Sequence, residues 1–207
     1  MHILVTNDDG VEAPGLLALT QAMRKVADKV TVLAPDRNWS ASGHVKTLHR
    51  PLRVKETRLD DGSQAWASDG APSDCVALAY MGFVPEKIDM VVSGINPNSN
   101  IGHDVTYSGT VTAAMEAAIW GIPGIAVSLD RPEKLTGEVD FSNAAEAARR
   151  VIKWLMARND VPNDLILNVN VPYGPLSEMK GFRLTRQGLR IYHDELVRRL
   201  EIGRAHV

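Results

Sequence analysis

Only one cysteine, Cys75, occurs in the chain, so no internal disulfide can form and a reducing compartment is expected. Charge of one sign is lacking as well: 23 lysines and arginines stand interspersed with 25 aspartates and glutamates, for a net charge of −2. Such a balance offers none of the basic face that polymeric nucleic acid demands, so no partner of that kind is expected. No hydrophobic run approaches the ~20 residues of a membrane span. Met1 leads straight into an apolar run with no signal peptide ahead of it. A cytoplasmic protein without a membrane partner is the expectation. No internal repeat or low-complexity tract occurs, and no Gly-x-Gly-x-x-Gly follows the first apolar run, which disfavours a dinucleotide-dependent oxidoreductase. What remains is ordinary for a globular protein, 44% hydrophobic and 23% charged over 207 residues, enough for one large domain with a substantial core.

The residues that are present alternate between two periodicities. Short apolar runs bounded by turn residues, at 3–6, 30–35, 88–96, 125–129 and 165–169, read as buried strands. Between them, helical spacing is found over 16–26, 71–78, 108–118 and 141–156. Alternation at this spacing predicts an α/β fold, a Rossmann-like and mostly parallel sheet flanked by helices in three layers. The texture changes between 44 and 68, where 45–48, 52–55 and 64–67 alternate and Asp60-Asp61-Gly62 precedes the last run. These predict an antiparallel β-hairpin projecting from the α/β body. Cys75, in the helix opened by Pro72, is expected to face the core. Leu184-Thr185-Arg186 reads as one more strand, and 192–200 as a charged helical or extended segment. Residues 201–207 show no periodicity and read as a non-native tail, which leaves a single domain over 1–199.

Chemistry concentrates where strands end. Ile3-Leu4-Val5-Thr6 runs into Asn7-Asp8-Asp9-Gly10, and helical patterning resumes at Pro14. Two adjacent carboxylates in a regular strand point to opposite faces, and converge only if the backbone turns, which Gly10 permits. Held close, they repel, and one takes up a proton unless a cation lies between them. Oxygen ligands suit a hard divalent ion such as Mg²⁺ or Mn²⁺; the plainer reading has one aspartate capping the next helix and the other solvated. A second loop, 36–43, also follows a strand and brings Ser40 to the same edge, either beside Asp8 or as a simple turn serine. A third strand ends at Asn96, ahead of a polar loop and of Ser108-Gly109-Thr110 at a helix start. Unpaired amides and the helix dipole make such a start an anion site, or Ser108 is an N-cap and nothing more. A metal beside an anion pocket is what phosphate chemistry needs.

Asn7-Asp8-Asp9-Gly10, Ala34-Pro35-Asp36 with Ser40, Gly70-Ala71-Pro72-Ser73-Asp74-Cys75, Ser93-Gly94-Ile95-Asn96 and Tyr107-Ser108-Gly109-Thr110-Val111 resemble the motifs of the SurE family (survival protein E). They occur in order and without a large gap from Met1 to about Arg199. The resemblance implies a metal-dependent nucleotidase that hydrolyses nucleoside 5′- and 3′-monophosphates to nucleoside and phosphate. Short polyphosphate is a further candidate substrate. It implies one divalent metal per subunit, with Asp8, Asp9, Ser40 and Asn96 as ligands and Asn96, Ser108, Gly109 and Thr110 on the phosphate. Asp8 and Asp9 would be the catalytic pair, one of them the general base. It also implies a homo-oligomer, dimer or tetramer, weakened here because the family's usual C-terminal extension is lacking. Where family members commonly have glycine two residues after the motif asparagine, this chain has Asn98, a residue that tolerates left-handed backbone.

Three histidines, His44, His49 and His103, are candidate proton carriers, and Trp39 and Tyr107 could stack a base. An aspartyl-phosphate enzyme with Asp8 as nucleophile is disfavoured, because such enzymes space their two acids one residue apart. A nucleotide-binding regulatory module without turnover is the alternative from outside enzymology.

Overall fold

A computed structural model describes residues 1–132 and 134–189. The order of elements is β1 (His2–Thr6), α1 (Pro14–Met23), β2 (Lys29–Pro35), β3 (Val54–Arg58), β4 (Gln64–Ser68), α2 (Pro72–Leu78), β5 (Met90–Asn96), α3 (Gly109–Ile119), β6 (Gly124–Asp130), α4 (Ser142–Met156) and β7 (Ile166–Pro172). All strands join one sheet, β3-β4-β2-β1-β5-β6-β7, parallel throughout except for β3 against β4. β1 is buried from end to end because helices cover both faces. On one face, Ile3, Val5, Val92 and Ile125 join residues of α1 and α4 such as Leu16, Leu19, Ala148 and Ile152. On the other, Leu4, Leu33 and Val91 meet Cys75 and Val76 of α2 and Ala113 and Ala117 of α3. This is the three-layer α/β architecture that the alternation predicts, with Cys75 in the core. Among the described residues no helix is long and apolar enough to cross a membrane.

Chain order reverses at β1, which has β2 on one side and β5 on the other. At such a switch point the connections leave the carboxyl edge in opposite directions and open a crevice there. Two glycines hold the elements around it close. A Cβ on Gly15 would lie 2.2 Å from the Ile95 carbonyl oxygen, and one on Gly124 would lie 2.1 Å from that of Ala114. So α1 rests on the end of β5, and α3 on the start of β6.

Three segments differ from expectation. The hairpin is present, with Gly62 in its turn at φ 78°. Its return strand, however, pairs in parallel with β2, so the hairpin extends the sheet at its edge instead of standing off the body. Residues 45–48 form no strand; their alternation serves the two neighbouring helices. Leu184-Thr185-Arg186 is not a strand either: it joins no ladder among the described residues, and Leu184 is exposed, so no burial of its apolar side chain holds it extended. Residues 192–200 and 201–207 lie outside the described residues.

Candidate active site

Asn7 makes the turn that carries the two acids. Its Nδ2 donates to the Gly10 carbonyl (2.8 Å), and its Oδ1 accepts from the Gly10 N–H (3.2 Å). Gly10 adopts φ 106°, which a side chain would strain. The loop thereby bends as the adjacent carboxylates require. Neither acid caps α1, whose N-cap residue is Ala13.

Asp8 is buried against the first turn of α3. The Thr110 hydroxyl donates to its Oδ1 at 2.5 Å. Burial pushes the Asp8 carboxyl up, while Thr110 and the backbone amides of Thr110 and Gly109 act in the opposite sense. A helix N-terminus thus faces a carboxylate of the protein itself, as the dipole favours. Gly109 permits the approach, since a Cβ there would lie 2.7 Å from the Asp8 Cβ. Asp9 is half-buried, and burial together with the Asp8 charge pushes it up to about 7. Asn38 Nδ2 reaches toward Asp9 Oδ1 at 3.5 Å. No lysine or arginine pairs with either acid among the described residues.

Of the other expected residues, Ser40 is linked to this pair through its neighbours in the loop. Trp39 N–H donates to the Asp8 carbonyl (2.7 Å), and Asn38 Oδ1 accepts from the Ser40 N–H (2.7 Å). The exposed Ser40 is therefore held one residue from a direct tether to Asp8. Asn96 ends β5, and its side-chain amide donates to the Asn98 carbonyl. Asn98 is not left-handed, so its substitution for glycine brings no strain. Ser108 Oγ accepts from Val111 N–H (3.2 Å) and is the N-cap of α3.

Of the proton-carrier candidates, His44 pairs with the buried Glu116, Nε2 to Oε2 at 2.8 Å, and so belongs to a structural contact. His49 and His103 are exposed. The Arg37 guanidinium lies 4.9 Å from the Trp39 ring centroid, and Tyr107 is exposed at the rim. Sequence reasoning missed Asn7 as the turn's brace, Asn38, and Glu116; the asparagines are locally legible as side chains that mimic turns, whereas Glu116 carries no local signal. A cavity of about 680 Å³ opens at the opposite edge of the sheet, near Met1, Ile88 and Trp120, but it holds no comparable group of unpaired acids.

Two carboxyl groups raised by burial, with no lysine or arginine partner among the described residues, fit a hard divalent cation, which takes oxygen ligands. A family model described as survival protein SurE matches residues 3–194 of this chain. The 5′-nucleotidase SurE of Herpetosiphon aurantiacus is 52% identical over 201 residues, covering 97% of this chain and 77% of that protein. That of Chloroflexus aggregans is 49% identical over 201 residues, covering 97% and 78%. The crystal structure of the SurE protein from Aquifex aeolicus superposes with a TM-score of 0.80 at 40% identity, covering 92% of this chain and 73% of that one.

Proposed function

The chain belongs to the SurE family, and on that premise we propose that it is a metal-dependent 5′-nucleotidase. Its relatives bear that enzyme's name. The observation that carries the metal and the site is the pair of buried Asp8 and half-buried Asp9, unmatched by any lysine or arginine among the described residues, with Asp8 set against the start of α3. One divalent metal, Mg²⁺ or Mn²⁺, held by Asp8, Asp9, Ser40 and Asn96, would supply the positive charge that draws in the phosphate and offsets the charge of its transition state.

The chain's own residues do the rest. Asn96 and the turn of Ser108, Gly109 and Thr110 hold phosphoryl oxygens as charge builds on them. Asp8, with Oδ1 engaged by Thr110, stays fixed. Asp9 is freer and accepts the proton of the attacking water. The water oxygen bonds to phosphorus, the bond from phosphorus to the ester oxygen breaks, and the nucleoside leaves as an alcohol, its oxygen taking a proton from solvent while Asp9 returns the one it accepted. Nucleoside 3′-monophosphates and short polyphosphate present the same terminal group and are further substrates of this reading. Cytoplasmic location and assembly into a homo-oligomer belong to it as well.

The test is phosphate release from a panel of nucleoside 5′- and 3′-monophosphates, with Mn²⁺, with chelator, and with Mn²⁺ restored. Release that chelator abolishes and Mn²⁺ restores is expected. Metal-dependent nucleotide binding without phosphate release would instead identify a regulatory module.

A further inference from the structure

Besides Asp8, two carboxylates on the α2–α3 face are deeply buried, Asp74 and Glu116, and the reaction described above uses neither. The Glu116 side chain is 2% exposed, and three donors converge on it: His44 Nε2 at 2.8 Å, Trp120 Nε1 at 2.6 Å, and Lys46 Nζ. A well-packed apolar residue would stabilise this position at least as well as a buried ion pair, so the carboxylate calls for an explanation in what it holds.

It holds an extended strap in the groove between two helices. Residues 43–47 run along a face of α3 whose residues Thr112, Glu116 and, just past its end, Trp120 recur at four-residue spacing. His44 and Lys46 reach Glu116. The residues between and beyond them turn to α2: Ser73 Oγ donates to the Val45 carbonyl, and Thr47 donates through N–H (3.0 Å) and Oγ1 (2.7 Å) to Asp74. At the near end, Gly43 N–H donates to the Tyr107 carbonyl (2.9 Å) and Thr112 Oγ1 donates to the Gly43 carbonyl (3.2 Å). Three residues further back is Ser40, and then Trp39, tied to Asp8. The loop carrying Ser40 is thus a short bridge from the end of β1 to the start of α3. It is largely exposed, with Ala41 at φ 57°, so little core packing fixes its path.

We infer that Glu116 is a positioning residue: through His44 and Lys46 it sets where the Ser40 loop lies over Asp8 and Asp9, and so sets the affinity of the site for its metal. The inference rests on the reading of Ser40 as a metal ligand. Groups bonded directly to a metal ligand tune metal affinity by roughly 10–100-fold; Glu116 acts at one remove, through the strap, and its effect falls at or below the lower end of that range.

Mn²⁺ binding to the full chain, followed by electron paramagnetic resonance of the free ion and without substrate, tests it. Glu116→Gln keeps the volume but faces an amide N–H toward donors. It should weaken Mn²⁺ several-fold, up to about tenfold, and the weakening should vanish in a Ser40→Ala background, where the loop has no ligand left to misplace. Lys46→Met, at the exposed end of the clasp, should act in the same direction and serves if Glu116→Gln does not fold. Parent-like Mn²⁺ affinity in the folded variants, beside loss of binding in Asp9→Asn, would overturn the positioning role alone. So would an undiminished effect of Glu116→Gln in Ser40→Ala. Retention of Mn²⁺ by Asp9→Asn would overturn the site assignment itself, and the inference with it.

Discussion

Asp9 meets two opposing demands under the proposed function: as a metal ligand it must carry negative charge, and its half-buried place beside Asp8 penalises that charge. A carboxyl raised in the folded state from its ordinary 3.8 to about 7 favours folding only while protonated. Metal-free protein should therefore be most stable below about pH 4 as far as this group is concerned, and lose stability as pH climbs from there through 7. Thermal unfolding across that range, with chelator, should show the decline in the parent and not in Asp9→Asn. The same substitution should lower phosphate release by ~10²–10³-fold, the usual cost of removing one preorganised electrostatic group. Gly109 shows how closely the helix start is fitted to the acid. A Cβ there would meet the Asp8 Cβ at 2.7 Å, so even Gly109→Ala must push Asp8 aside. Turnover should fall by ~10²-fold, the cost of an ångström-scale misplacement, and Mn²⁺ affinity should fall with it. Parent-like metal affinity in that variant would show that Asp8 is not a ligand.

Helices hold the loops of the crevice in place, and the clasp on α3 has a stability consequence of its own. Burial opposes ionisation of Glu116, yet the bonds from Lys46, His44 and Trp120 outweigh it and hold the carboxyl below its ordinary 4.5. A depressed carboxyl stabilises the fold above its unfolded value, and that contribution is lost as pH falls through the folded value. Glu116→Ala, which removes the acceptor of three hydrogen bonds and leaves a hole, should cost ~1–3 kcal/mol at neutral pH, with a smaller difference from the parent in acid; denaturant unfolding at the two pH values measures both. At α1 the contact is between backbones. A methyl at Gly15 would lie 2.2 Å from the Ile95 carbonyl oxygen, which has no flexible side chain to yield. Gly15→Ala should cost ~1–3 kcal/mol or more and shift the end of β5 that carries Asn96, so its catalytic loss should exceed that of a destabilised variant with an intact site.

For the whole molecule, the sheet ends at β7, which among the described residues has no partner strand on its outer side. Phe182, Leu184 and Leu189 beyond it are exposed. An open edge with exposed apolar residues favours association. Sedimentation should show a mass that rises with protein concentration, and Leu184→Ser with Leu189→Ser should lower it. A concentration-independent monomer would count against this edge as a contact. Much of this architecture was legible in advance: period-2 and period-3.6 patterns report burial locally, so β1, β2, β5, β6 and the helices are readable from the runs themselves. Asn7-Asp8-Asp9-Gly10 likewise announces a bent acidic turn, because glycine and adjacent like charges are local facts. Tertiary structure alone decided the rest. Alternation at 45–48 cannot tell a neighbouring strand from two flanking helices, since both are served by period 2. The partner of His44 lies 72 residues away on α3, and the hydroxyl on Asp8 comes from Thr110, 102 residues on. Which charges meet across such separations is set by the strand order at the switch point, and no local pattern encodes that order.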